Sequence, residues 1–170
     1  MKDLDKNISL IWRSKNNKDD LKTIYKLANF CRKNKRNLIL SNNVKLALKL
    51  KLNGAYISAH NKDYRFNSYK FRKNFKLIGS AHNIIEVNIK KAQKIDEIFI
   101  SPIFKYKNKS PLGIHRIKYF FEDNSYKKIA LGGINKKNIN LLSLIKFSGF
   151  AGIGLFKKKG PKKWGPFLNI

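Results

Sequence analysis

The apolar runs of this chain end in a recurring set of polar residues. Arg13 and Lys15 follow the first; Ser41, Asn42 and Asn43 the second; Ser58, His60 and Asn61 the third; Ser80, His82 and Asn83 the fourth. Lys105, Lys107 and Lys109 come after the fifth, Gly132 and Gly133 after the sixth, and Gly152 and Gly154 lie in the seventh. Cations neutralise phosphate oxygens, and bare glycine backbones let N–H groups approach them, so the set suits an anionic, phosphorylated ligand. His82 is a candidate general acid or base, because histidine alone titrates near neutrality without help. The same position would suit a residue capping the next helix. His60 and His115 are lone histidines beside basic residues. The pair Gly132-Gly133 is either a phosphate cradle or a tight turn; with Gly152 and Gly154 it matches the phosphate site that barrels build after their last strands. Lys109 is an anion clamp or one of three solvated lysines. No His, Cys or carboxylate cluster has metal spacing, and neither a G-x-S-x-G turn nor a P-loop occurs.

The elements that must position these residues alternate along the whole chain. Strands are expected at 8–13, 37–41, 54–58, 75–80, 97–101, 128–131 and 150–155. Helices are expected from Asp19 and Asp20 through Cys31, over 44–50, from Ile84 through Ala92 on Ile84, Ile85, Val87 and Ile89, over 114–121, and over 134–147 with Asn135 as N-cap. Residues 63–74 are basic and weakly patterned, 102–112 form the longest loop, and 157–170 form a basic, irregular tail. Strands apolar on both faces call for a parallel sheet covered by helices. A single α/β domain over 1–170 follows. It closes as a doubly wound sheet or as a TIM-type (β/α) barrel; the turn after Trp12, Arg13-Ser14-Lys15-Asn16-Asn17, lacks the glycines of the first, so the barrel is favoured. In both, ligands meet the C-terminal strand ends.

Composition narrows the class. With 170 residues and 42% hydrophobic content the chain can bury one core, and its single cysteine excludes a disulfide scaffold. The net charge of +28 points first to nucleic acid, but it comes from 32 Lys and only 6 Arg, beside 20 Asn and 21 Ile, the residues of A/T-rich codons. Most of it reads as solvated surface. No apolar leader opens the chain, and its longest apolar stretches fall far short of the roughly 20 residues that cross a bilayer. A cytoplasmic protein without membrane contact is expected.

Four segments in order carry a family resemblance: Gly79-Ser80-Ala81-His82-Asn83 with Glu86; Ser101-Pro102-Ile103-Phe104 ahead of Lys109; Ala130-Leu131-Gly132-Gly133-Ile134 with Asn138; and Gly149-Phe150-Ala151-Gly152-Ile153. They resemble the S-x-H, G-P-I-F…T-K, A-I-G-G-I-x-x-x-N and A-G-A-D-G-V segments of thiamine-phosphate synthase and its TenI-type relatives. Trp12-Arg13-Ser14-Lys15 is similar to the family's Q-L-R-E-K, and residues 38–44 to its L-I-I-N-D-R-V. The resemblance implies a (β/α)₈ barrel in which a thiazole phosphate attacks a hydroxymethylpyrimidine diphosphate, releasing pyrophosphate with Mg²⁺ help. It implies that Arg13, Lys15, Asn42 and Lys109 meet the diphosphate, assisted by Ser80. Gly132 and Gly133, with the amides near Leu155 and Phe156, would hold the thiazole phosphate. In TenI-type tautomerases the residue matching His82 shuttles a proton on the thiazole.

Departures from the family are equally specific. Its Gln is Ile11 here, and its two magnesium-binding Asp positions hold Asn42 and Asn61, with Asp63 two residues on. Residues 8–13 match its second strand, so the first strand–helix unit and the last helix are missing from the match. The expectation is an incomplete, seven-stranded barrel, closed by its N-terminal segment or by a second subunit in a homo-oligomer. Three functions stand open: a thiamine-phosphate synthase, a TenI-type tautomerase using His82, and a non-catalytic binder of phosphorylated ligands or RNA. The last draws on Tyr64-Arg65-Phe66 and Tyr69-Lys70-Phe71-Arg72, whose rings either stack on bases or bury themselves in an amphipathic helix.

Overall fold

Seven apolar runs become seven strands: β1 (Leu10–Trp12), β2 (Leu38–Ser41), β3 (Gly54–Ile57), β4 (Lys76–Ala81), β5 (Glu97–Ile100), β6 (Lys127–Leu131) and β7 (Gly149–Ala151). Helices α1 (Leu21–Lys33), α2 (Val44–Lys49) and α3 (Ile84–Ala92) lie between them, with 3-10 turns at Arg65–Ser68 and Ile139–Leu144. The structure, a computed structural model, describes residues 8–14, 20–106, 110–112, 117 and 125–152. The sheet order is the chain order, and every neighbouring pair is parallel. A doubly wound sheet reverses order at a switch point. This one does not, and the fold is an incomplete TIM-type barrel with β1 and β7 as its edges among the described residues.

Alternation along the strands sends side chains to two faces. Ile39, Tyr56, Ile78, Phe99 and Ile129 form a small inner cluster, with the Tyr56 and Phe99 rings 5.8 Å apart. Leu38, Leu40, Ala55, Ile57, Leu77, Ile98 and Ile100 face outward and join Ile24 and Ala28 of α1, Val44 and Ala47 of α2, and Val87 of α3. The register then sets the chemistry of the inner face. Ser41 pairs with Tyr56 and Ser80 with Phe99, so the apolar interior gives way to hydroxyls at the C-terminal rim. At the opposite end Lys76 meets the buried Glu97 at 3.5 Å.

Side-chain caps start the helices. Asp20 accepts from the Thr23 amide at 3.2 Å, Asn43 from Leu46 at 3.0 Å, and Asn83 from Glu86 at 2.9 Å. Three expectations are corrected. Residues 134–147 form no α-helix, only the turn Ile139–Leu144, because Asn and Ser side chains capture the local backbone. Asn135 accepts from the Lys137 amide, Asn138 donates to the Gly133 carbonyl, and Ser143 donates to the Asn140 carbonyl. In 63–74 the Phe66 ring is buried and Phe71 stacks on Phe75 at 5.2 Å, yet only one 3-10 turn forms. On α3, Ile84 and Ile85 are exposed while Lys90 is buried. Of 114–121 only Ile117 is described, and it is buried.

Candidate functional site at the C-terminal rim

Arg13 leaves β1, Asn42 and Asn43 leave β2, and Ser58, His60 and Asn61 leave β3, all at the C-terminal edge of the sheet. Together with Ser14 and Ser41 they line one open pocket of about 410 Å³. Among the described residues its lining holds a guanidinium, hydroxyls, amides and an imidazole, and no carboxylate. The Ser41 hydroxyl is buried there without a hydrogen-bond partner among the described residues. A hydroxyl so placed is a donor for an incoming oxygen, since a buried polar group left unmatched is costly.

The two amides in this pocket are fixed by their neighbours. Asn42 Oδ1 accepts from the Ser58 amide at 2.9 Å, which settles which end of the side chain is oxygen. Asn61 Oδ1 accepts from the Asp63 amide at 2.8 Å, leaving its Nδ2 to donate to Asn42 Oδ1 at 3.3 Å. Behind them, Lys90 Nζ and Gln93 Nε2 both donate to the Asn61 carbonyl, at 2.7 and 3.1 Å. Gln93 Nε2 also reaches the Asp63 carbonyl at 2.9 Å. Burial pulls the Lys90 ammonium down to about 8, with the Glu86 carboxylate opposing the shift. This clamp was not legible as such, because Lys90 and Gln93 read as the polar side of α3. The signal for it is Gly79, where a Cβ would lie 3.0 Å from Lys90 Cδ and 3.1 Å from Ile95: the glycine makes room for the lysine stem on the outer face of the sheet.

On the next strand along the rim, just after β4, stands His82. It does not cap α3; Asn83 does, while Glu86 reaches back to accept from the His82 amide at 2.6 Å. The ring is fixed by the residue that follows β5: Nδ1 lies 2.7 Å from the Ser101 carbonyl and 3.1 Å from the Ser101 hydroxyl. A carbonyl only accepts, so Nδ1 carries the proton and Nε2 keeps its lone pair in the neutral ring. Ser101 is a positioning residue that sequence reading placed only as a strand end. Ser80 is buried on the inner face one strand from Ser101.

Gly132 and Gly133 close β6 at φ +92° and +69°. A Cβ on Gly132 would sit 2.9 Å from Pro102 Cα, and one on Gly133 2.6 Å from the Phe104 carbonyl oxygen. The pair is thus required by its left-handed backbone and by the loop after the cis Ser101-Pro102 bond, which donates from Phe104 to the Gly132 carbonyl at 3.1 Å. The rim brings Arg13, Asn42, Asn61 and His60 into one pocket. Ser80, His82, Gly132 and Gly133 share the edge but not that lining. Lys15, Lys107, Lys109, His115, Gly154, Leu155, Phe156 and the tail 157–170 lie outside the described residues.

The magnesium expectation meets an ill-suited donor set. Hard cations want carboxylate or phosphate oxygens with free lone pairs. Here Asn42 Oδ1 already serves two donors, as does the Asn61 carbonyl. Asp63 turns instead to Arg65, accepting from Nε and Nη2 at 2.8 to 3.1 Å, and the Arg65 guanidinium holds its carboxyl down to about 2. Among the described residues no cluster of three His, Cys, Asp or Glu side chains could hold a metal, and no helix is long and apolar enough to cross a membrane.

Fold and rim define a (β/α)-barrel protein with a polar, cation-bearing pocket at the C-terminal strand ends. The chain belongs to the thiamine monophosphate synthase family, whose model matches residues 6–156. It is 32% identical over 152 residues to the thiamine-phosphate synthase of Prochlorococcus marinus subsp. pastoris (strain CCMP1986 / NIES-2087 / MED4), covering 86% of this chain and 43% of that protein. It is 30% identical over 141 residues to the thiamine-phosphate synthase of Prochlorococcus marinus (strain AS9601), covering 81% of this chain and 39% of that protein. The chain therefore spans about two-fifths of the length of these relatives. In fold it is similar to a thiamine phosphate pyrophosphorylase from Pyrococcus furiosus, with a TM-score of 0.69 at 14% identity over 95% of this chain and 79% of that one.

Proposed function

We propose that the chain is a thiamine-phosphate synthase, a transferase joining hydroxymethylpyrimidine diphosphate to thiazole phosphate. The observation that carries this reading is the rim pocket with Arg13 and a free hydroxyl, set in a chain of this family. In the reaction the thiazole nitrogen donates its lone pair to the pyrimidine methylene carbon, and the C–O electron pair leaves with pyrophosphate. Arg13 and the Ser41 hydroxyl meet the diphosphate oxygens, where they stabilise the charge that grows on the leaving group. Ser80 assists from the inner face, Lys15 and Lys109 add cations, and the amides at Gly132, Gly133, Leu155 and Phe156 hold the thiazole phosphate.

A second reading has its own support. His82, with Nδ1 tied to the Ser101 carbonyl, offers Nε2 as the proton-accepting end that a TenI-type thiazole tautomerase needs. Incubating the protein with both synthase substrates, in Mg²⁺ and in EDTA, and following thiamine phosphate by mass spectrometry separates the two. The synthase reading expects product, lowered on the order of a hundredfold in Arg13→Ala. No product at high enzyme concentration removes it, and tautomerase turnover abolished in His82→Ala would then carry the second reading.

A further inference from the structure

We propose that the pocket over β1–β3 binds its diphosphate without a divalent cation, an inference that rests on the reading of that pocket as the diphosphate site. Two carboxylates placed as Asn42 and Asn61 are, in hydrogen-bond contact, would repel each other and the incoming anion, and a cation between them would relieve both. Two amides do the opposite. Asn61 Nδ2 donates directly to Asn42 Oδ1 at 3.3 Å, and the Ser58 and Asp63 amides lock both side chains in that sense. The wall that a metal would have to bridge is already closed.

Charge leads to the same result. Among the described residues the lining carries Arg13 and no carboxylate, so a diphosphate enters a site that is positive before any metal arrives. The Lys90 ammonium stands directly behind the wall, 2.7 Å from the Asn61 carbonyl, where it disfavours a second cation and favours an anion. Of the nearby described acids, Glu86 accepts from the His82 amide, and Asp63 holds Arg65 in an adjoining pocket on the far side of Asn42 and Asn61, so neither carboxylate is part of the lining over β1–β3. The Ser41 hydroxyl and the Arg13 guanidinium then take phosphate oxygens that a metal would otherwise share.

Calorimetric titration of inorganic pyrophosphate into the full chain at physiological salt tests this. The expected result is a dissociation constant that differs by no more than about threefold between EDTA and millimolar Mg²⁺, and that weakens about tenfold or more in Arg13→Ala. The double variant Asn42→Asp/Asn61→Asp should weaken by about tenfold in EDTA and recover in Mg²⁺. Mg²⁺ titrated alone should bind that variant and not the wild type. Arg13 is exposed, so its variant keeps the test independent of how the double variant folds. Wild-type binding that appears only with Mg²⁺ overturns the inference while leaving the diphosphate reading in place. Absence of binding in both conditions, or binding indifferent to Arg13, overturns it as well, and the turnover assay then judges the functional reading separately.

Discussion

Replacing Lys90 by Met should change how stability depends on pH. The lysine is fully buried, its stem lies over Gly79, and its Nζ donates to the Asn61 carbonyl at 2.7 Å and to Gln93 Oε1 at 2.9 Å. Burial holds it down to about 8 against an ordinary 10.5. At 1.36 kcal/mol per pH unit that difference corresponds to at most about 3 kcal/mol, and to less in so far as water reaches the ammonium at the loop. The sign follows from proton counts. Between about pH 8 and 10.5 the unfolded chain still holds this proton and the folded chain does not, so stability rises with pH. The contribution is complete above the unfolded value and is lost as pH falls through about 8. Met keeps the apolar stem and removes the titration. At neutral pH the loss of two charge-assisted bonds and the relief of burial offset one another, so the variant folds. Urea unfolding followed by far-UV circular dichroism from pH 7 to 10 should show wild type gaining on Lys90→Met by about 1 to 3 kcal/mol across that range. Every other lysine titrates alike in both proteins and cancels in the comparison. Parallel curves would mean that the ammonium is hydrated, and the clamp on the Asn61 loop would fall with that.

Gly79→Ala should destabilise wild type but cost much less in a Lys90→Ala background, because the Cβ contact at 3.0 Å is with the lysine stem; additive unfolding energies would refute the coupling. Gly133→Ala should lose about 2 kcal/mol or more, since it meets both a φ of +69° and the Phe104 carbonyl. A melting temperature unchanged from wild type would contradict that geometry. Long-range ¹⁵N NMR at high pH should show the neutral His82 ring protonated at Nδ1, as its bond to the Ser101 carbonyl demands; a ring protonated at Nε2 would remove the proton-shuttle reading. Phe66→Ala should cost about 3 kcal/mol or more as a core truncation, whereas a stable variant that loses RNA binding at physiological salt would revive the nucleic-acid reading.

The sheet was legible because every strand is a short apolar run bounded by polar residues, and because Asp20 stands at the helix start expected for it, whereas the cap of α3 is Asn83 and not His82. Chain-order connectivity then placed Arg13, Asn42, Asn61 and His82 on one edge. Three features were hidden for physical reasons. Lys90 counts as polar in any periodicity, yet its four-carbon stem packs like an aliphatic side chain once Gly79 opens a space beneath it. Ile84 and Ile85 carry the helical pattern of a buried face but sit in the first turn of α3, at the rim, and remain exposed. The segment 134–147 has helical spacing, but its Asn and Ser side chains compete for the same backbone groups. The aromatics of 64–72 divide similarly: Phe66 is buried and Tyr69 and Phe71 pack on the core, leaving Tyr64 exposed, so base stacking loses most of its platform. The mutual hydrogen bond of Asn42 and Asn61 needed coordinates, since nineteen residues separate them.

The most direct test of the account is a ³¹P NMR time course of the full chain with hydroxymethylpyrimidine diphosphate and thiazole phosphate, run once in EDTA and once in Mg²⁺. The account predicts that thiamine phosphate and pyrophosphate grow together in equal amounts while the two substrates decline, with turnover persisting in EDTA. Substrate resonances that stay unchanged in both samples at high protein concentration would contradict it.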